Sequence, residues 1–434
     1  MTERRVTERR MELVAPAGNL EKLTYAWEYG ADAAYVGLKD FSLRVKADNF
    51  HDDEHLVVRA LKDSYARAGN PKRLFCAANV ACANADIDRF ARELEYFRAY
   101  PFDAYIVQDL GLARVIRERI PGATLHLSTQ ANCLNAEAVK VYRDLGFRRV
   151  VLARETRLDD VKRIKDSVPE MEIECFAHGA MCVAYSGRCL MSAYMTGRSA
   201  NKGSCTHSCR WDWRVLEERE RPGEYYPVVE GDGYTALFSS RDLNMIDFLA
   251  EMRDAGVDSL KIEGRMKSLY YVAVVTRAYR KALDALYGDM SPEEARPFVD
   301  ELDNVPHREY GTGFYFGDGS ENLTTPGKSS APRVMAGTIG ERLTIGAGST
   351  NDESAKAGPT KAVWELAPTN KIVSGEPLEI VSPTEAFYPL GDYELVDPDT
   401  GGTLEWTSHH HRCAIRTATP LSSRCVVRSF PRES

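Results

Sequence analysis

The chain has 434 residues, enough for about two to four domains and a sizeable core. Hydrophobic residues make up 44% and charged residues 28%, the balance of a globular protein. The 56 Lys and Arg against 64 Asp and Glu leave a net charge of −8. That excludes a uniformly basic protein that coats nucleic acid, but not a local basic patch. Ten cysteines in a chain this long do not make a small disulfide scaffold. No apolar run approaches the roughly 18 residues of a spanning helix. Residues 1–10, MTERRVTERR, mix both charge signs without an apolar core. They are expected to be a disordered extension, not a secretory signal. A cytoplasmic, soluble protein in a reducing compartment is the default expectation.

In chain order, eight β-type runs are predicted: Leu13–Ala17, Ala34–Leu38, Leu74–Val80, Ala104–Gln108, Leu125–Thr129, Val150–Arg154, Ile173–Ala177 and Ser259–Glu263. Helical patterns lie between most of them. Leu20–Tyr29 follows the turn and cap residues Gly18 and Asn19. Asp86–Tyr100 places Ile87, Phe90, Leu94 and Phe97 on one face, at steps of three and four. Ala136–Gly146 ends on glycine, and Leu158–Val168 stops before Pro169. Eight strands alternating with helices predict a (β/α)8 TIM-like barrel, an α/β fold. An open doubly wound sheet is the competing architecture. Its glycine-rich phosphate loop is missing, because the first turn reads APAGN.

About 80 residues separate Ala177 from Ser259, well above the other intervals. A cysteine-rich insertion, about residues 182–258, is therefore expected after strand seven, on the face where barrel enzymes place their sites. Ser268–Leu286 reads as the closing helix and Pro292–Leu302 as another. A Gly, Ser and Pro cluster from Gly317 to Pro332 suggests a linker. Short β runs follow at Val334–Ile339, Lys361–Leu366, Pro377–Val381, Tyr393–Val396 and Cys425–Val427. The expected organisation is a barrel over 11–318 and a small all-β barrel or sandwich over 333–430.

The insertion reads HGAMCVAYSGRCLMS, then KGSCTHSCRW. Six residues separate Cys182 from Cys189, fifteen more precede Cys205, and three precede Cys209. Four thiolates form a complete ligand set for an iron–sulfur cluster or a structural zinc. The zinc spacing fits Cys205 and Cys209 but not Cys182 and Cys189. Buried or incidental cysteine is the alternative, of equal weight on spacing alone. A catalytic cysteine is a third option, because His178 and His207 lie close in sequence.

The run Glu174–Ser192 closely resembles the signature of peptidase family U32. The blocks Glu12–Asn19, Leu127–Gln130 with Asn132 and Asn135, Leu152–Glu155, Ser239–Leu243, Lys261–Arg265 and Tyr270–Val272 resemble the family as well. In the tail, Pro377–Ile380 resembles the family's C-terminal β domain, so the likeness covers most of 11–385. The family name implies a collagenase-like peptidase, yet the chain has no HExxH helix and no GxSxG elbow. The branch of similar length resembles tRNA hydroxylation proteins. That likeness implies a [4Fe-4S] cluster, prephenate as co-substrate, and oxygen-independent conversion of the wobble uridine of tRNA to 5-hydroxyuridine. Other branches imply hydroxylation of rRNA or of a quinone precursor. The implied cluster ligands are Cys182, Cys189, Cys205 and Cys209.

Residues at the strand ends supply the remaining candidates. Arg154 and Arg265, with Gln130 and Glu155, are expected to bind substrate, since guanidinium pairs with the carboxylates of prephenate. His178 and Glu263 are the acid–base candidates. From Cys182 to Arg214, the basic residues Arg188, Arg198, Lys202, Arg210 and Arg214 face one acid, Asp212, for a local charge of +4. Tyr185, Tyr194, Trp211 and Trp213 are interleaved, a mixture suited to phosphate contact and base stacking. Arg188, Arg198, Lys202 and Arg210 are therefore the RNA-binding candidates. The alternative is that the aromatics shield a cluster and the arginines are solvated. His409–His411 read as a polar loop or, less simply, a metal site.

Overall fold

The computed structural model describes residues 10–38, 49–51, 53–182, 184–210, 229–231, 234–236, 240–317, 332–344 and 361–431. Residues 1–9 of the expected extension, most of the linker, and Trp211, Asp212, Trp213 and Arg214 lie outside the described residues. Two compact units result, residues 1–299 with 307–329, and residues 300–306 with 330–434.

The first unit is a closed barrel. Strands β1 (Glu12–Pro16), β2 (Ala33–Val36), β3 (Arg73–Ala77), β4 (Ala104–Val107), β5 (Leu125–Leu127), β6 (Phe147–Val151) and β7 (Glu172–Ala180) pair in chain order and in parallel. A short hairpin, β8 (Val229–Gly231) and β9 (Tyr234–Ala236), precedes β10 (Asp242–Asn244) and β11 (Ser259–Ile262). Strand β11 pairs in parallel with both β7 and β1, which closes an eight-stranded ring. All eight predicted runs are its strands. Small and flat side chains suit the crowded interior, where Val14, Ala33, Tyr35, Phe75, Ala104 and Ile106 form one buried cluster.

Several helices begin with a polar residue whose side chain satisfies a free backbone N–H. Asn19 caps α1 (Leu20–Glu28). After α2 (Glu54–Arg67), α3 (Asn84–Arg92) and α4 (Leu94–Ala99), Asp109 caps α5 (Leu110–Arg119) and Asn135 caps α6 (Ala136–Asp144). Then come α7 (Leu158–Ser167), α8 (Met191–Thr196), α9 (Leu249–Asp254), α10 (Leu269–Leu286, capped by Ser268) and α11 (Pro292–Asp300). The single helix predicted over Asp86–Tyr100 is two, because Glu93 leaves helical geometry at φ −93°, ψ 11°. Phe90 and Phe97 nevertheless pack together across the break, with ring centroids 4.5 Å apart.

The insertion leaves β7 at Ala180 and returns through β10. That strand runs antiparallel to the end of β7, and β12 (Tyr310–Gly311) adds beside it. The second unit holds an eight-stranded antiparallel sheet, a half-barrel, in the place where the small all-β domain is expected. Among the described residues no pairing joins its two end strands. Its core is built on Ile339, Leu366, Ile380, Leu395, Ile415 and Val427. Within it the buried Arg428 pairs with Glu379 at 2.8 Å and with Glu301.

Candidate functional site

Two side-chain layers fill the barrel. In the lower one Arg149, fully buried, meets Glu12 at 2.7 Å, Glu172 at 2.7 Å and Glu174 at 2.8 Å. Arg73 also pairs with Glu12. Lys261 donates to Glu174 at 2.7 Å and lies 4.1 Å from the centre of the Tyr35 ring. Burial by itself would raise the Glu174 carboxyl, but Lys261 and Arg149 outweigh it and lower its pKa to about 2.

Lys261 belongs to the upper layer as well. There a cavity of about 70 Å³ opens at the carboxyl ends of the strands. Arg154, Lys261, Arg265, Glu263 and Gln130 line it, with Asn79, Ser128 and Thr129. Three cations against one carboxylate give the lining two excess positive charges. Arg154 reaches Glu263 at 3.3 Å and stacks 4.1 Å over Phe176. Glycine brings the Glu263–Arg265 turn in close. A β-carbon on Gly18 would lie 2.5 Å from the Arg265 carbonyl oxygen, and one on Gly179 (φ +113°) 2.4 Å from that of Glu263.

Of the expected substrate contacts, Gln130, Arg154 and Arg265 thus come together, and Glu263 joins them. Glu155 does not. Its carboxylate accepts from the Ser186 backbone N–H at 2.6 Å and from the Ser186 hydroxyl. Ser186 sits in left-handed geometry at φ 39°, in the turn between Cys182 and Cys189. Glu155 is therefore a tether that holds the cysteine segment to the end of β6, not a cavity wall. His178 is also elsewhere. Its ring is enclosed by Tyr271, Tyr279 and Tyr310, and Nδ1 lies 3.5 Å from the Tyr279 hydroxyl. Burial lowers its pKa to about 3, so the ring is neutral at ordinary pH and outside the cavity lining. Lys261 was not anticipated as a contact. Its signal was period two: residues 261, 263 and 265 follow one another at alternate positions from strand into turn.

The cysteine segment lies across the ends of β3, β5 and β6. Arg188 Nε donates to the Gln130 carbonyl at 3.0 Å, Asn132 Nδ2 to Tyr185 O at 3.3 Å, and Ala81 N to Asn201 O at 3.2 Å. Asn201 Oδ1 accepts from Cys189 N at 3.2 Å. Ser192 joins the two cysteine limbs, since its hydroxyl lies 3.0 Å from both Thr206 N and Thr206 Oγ1. Cys182 is exposed, and Cys189, Cys205 and Cys209 are half-buried. By contrast, burial pushes the Cys133 thiol up to about 11 and Cys175 up to about 12. The four loop thiols match the donor chemistry of a cluster or zinc site. Among the described residues no three His, Cys, Asp or Glu side chains converge as a metal site. Arg198 and Lys202 are exposed, and Lys202 lies 3.3 Å from Asp86. Nothing is described of the Arg210 side chain. His409–His411 lie in the second unit, with the His409 and His410 rings stacked at 3.8 Å.

A parallel barrel whose open end is crossed by a four-cysteine segment defines the class of protein. The model of peptidase family U32 matches residues 18–325. The chain belongs to that family. Among its relatives, tRNA hydroxylation protein P of Escherichia coli (strain K12) is 36% identical over 70% of this chain and 74% of its own. A 23S rRNA 5-hydroxycytidine synthase of the same organism is 33% identical over 78% of this chain and 50% of its own. A collagenase of Porphyromonas gingivalis (strain ATCC BAA-308 / W83) is 29% identical over 87% of this chain and 97% of its own. Among the described residues no helix is long and apolar enough to cross a membrane.

Proposed function

We propose that the protein is a cytoplasmic RNA-modifying enzyme that hydroxylates the wobble uridine of tRNA to 5-hydroxyuridine, with prephenate as co-substrate. The observation that carries this reading is the cavity itself, with its two excess positive charges at the barrel mouth. A dicarboxylate such as prephenate matches that charge. Arg154, Lys261 and Arg265 would bind its carboxylates, and the relatives named for RNA hydroxylation supply the reaction class. Replacing a ring C–H by C–OH removes two electrons, and an iron–sulfur cluster handles electrons singly. Cys182, Cys189, Cys205 and Cys209 would hold that cluster. Arg188, Arg198, Lys202 and Arg210 would meet the RNA backbone.

The collagenase relative favours a second reading, a peptidase. The cavity gives it little help, because neither histidine nor cysteine is among its lining residues. Two measurements separate the readings. Nucleoside mass spectrometry of tRNA should show hydroxyuridine lost on gene deletion and restored by the wild-type gene. Anaerobically purified protein should carry iron and sulfide, and Cys182→Ser with Cys189→Ser should remove them. A colourless, iron-free protein that cleaves gelatin and leaves tRNA unchanged would overturn the proposal.

A further inference from the structure

A second cavity adjoins the first. Its volume is about 360 Å³, and Gln130 lines both. The two differ in charge. The first carries the excess of two positives, whereas in the second Arg188 is balanced by Asp109. The rest of the second lining is amide and small apolar: Gln108, Gln130, Asn201, Ala81 and Leu110.

The amides keep hydrogen-bonding capacity for a ligand. Gln108 donates Nε2 to the Asn79 carbonyl at 2.8 Å, which leaves its own oxygen as an acceptor. Asn201 accepts from Cys189 N through Oδ1, which leaves its NH2 group as a donor. Arg188 gives Nε to the Gln130 carbonyl, which leaves its terminal nitrogens. Beside these groups Leu110, 51% exposed, offers an apolar face. Acceptors and donors around a neutral, roomy space suit a flat neutral ligand with alternating C=O and N–H along one edge. A pyrimidine base has that edge. An anion, by contrast, is drawn next door.

We propose that the second cavity is the base subsite: it takes one extruded pyrimidine base of an RNA, read by Gln108, Gln130 and Asn201. Gln130 then touches the base on one side and the anion on the other. A base would have to leave its stack to present that edge to the amides. Arg188, exposed on the cavity wall, and exposed Lys202, next in sequence to Asn201, suit the flanking phosphates. This inference rests on the RNA-modification reading, but its test does not.

The test uses the full-length protein and a short RNA hairpin with 4-thiouridine in its loop. After irradiation, cross-linked peptides are mapped by mass spectrometry. The expected cross-links fall within residues 81, 108–110, 130 or 188–201. Leu110→Trp, which fills the space, should cut their yield about tenfold, and Gln130→Leu should weaken RNA binding about tenfold through one or two lost hydrogen bonds. Leu110→Trp should keep the wild-type circular dichroism spectrum and urea midpoint, which shows that the variant is folded. Cross-links confined to other segments, no cross-link at all, or wild-type yield from folded Leu110→Trp would overturn the subsite. The broader reading stands or falls separately, on hydroxyuridine in cellular tRNA.

Discussion

The two charged layers of the barrel use the same residue types for opposite ends. In the lower layer, Arg149 is surrounded by Glu12, Glu172 and Glu174 within 2.8 Å and sees almost no solvent. Every charge there is matched from within the chain. In the upper layer, Arg154 pairs with Glu263 at 3.3 Å, and Arg154, Lys261 and Arg265 all line the open cavity. A charged network closed on all sides fixes a fold, whereas one that borders a cavity can also meet a ligand. Lys261 links the two. Its ammonium is held by Glu174 below and exposed to the cavity above.

The largest effects come from breaking the lower layer. Arg149→Met leaves three carboxylates buried against fewer cations. It should cost about 3–5 kcal/mol, seen as a fall in the urea midpoint or as failure to accumulate. Arg154→Met removes one pair and one stacking contact, and should cost about 1–2 kcal/mol. Equal losses in the two variants would erase the distinction between the layers.

Ligand binding should rank the residues in the other order. Arg265→Ala and Lys261→Met each remove a charged donor from the cavity and should weaken dicarboxylate binding roughly 10–100-fold by calorimetry. Arg265→Ala should also abolish conversion of tRNA. If either variant bound prephenate as wild type does, the anion would have to sit elsewhere. Glu155→Gln should act more gently. It weakens the tether on Ser186 and should lower iron content or RNA binding by a few-fold, while dicarboxylate affinity stays within about twofold.

The strands were legible because their signals are local. Eight runs such as Ala104–Gln108 stand out as short apolar stretches between turn residues, and all eight form barrel strands. The cavity was partly legible, since strand-end positions predict a ring of polar residues and Gln130, Arg154, Glu263 and Arg265 all line it. What the pattern hides is direction. Arg154 and Glu155 are the central residues of a turn closed by Thr156 N–H to the Ala153 carbonyl at 3.1 Å, and their side chains part there, one to the cavity and one to the cysteine turn. Helix α2 escaped notice for a different reason: of its residues only Val58 is buried, while Leu56 and Val57 are exposed, so no apolar stripe marks it. His178 was conspicuous by type, but only the packing of three tyrosines from distant segments closes it off.

That closed histidine adds a pH-dependent prediction, and it sharpens the contrast between buried and ligand-facing groups. Burial holds the His178 pKa at about 3 in the native protein, against 6.5 as the ordinary value. Between those limits the unfolded chain binds a proton that the native chain does not. Stability therefore rises with pH across the window and falls as the pH drops through it, by at most about 1.4 kcal/mol per pH unit for this one group. His126, also buried and lowered, adds a slope of the same sign. His178→Gln should flatten the urea-midpoint profile between pH 6.5 and 4 relative to wild type, with little change above pH 7 beyond a constant offset. An acid–base group in the cavity would behave otherwise. Its removal would change the pH profile of tRNA conversion and leave the stability profile alone. If His178→Gln reshaped the activity profile and not the stability profile, the imidazole would belong with the ligand-facing layer after all.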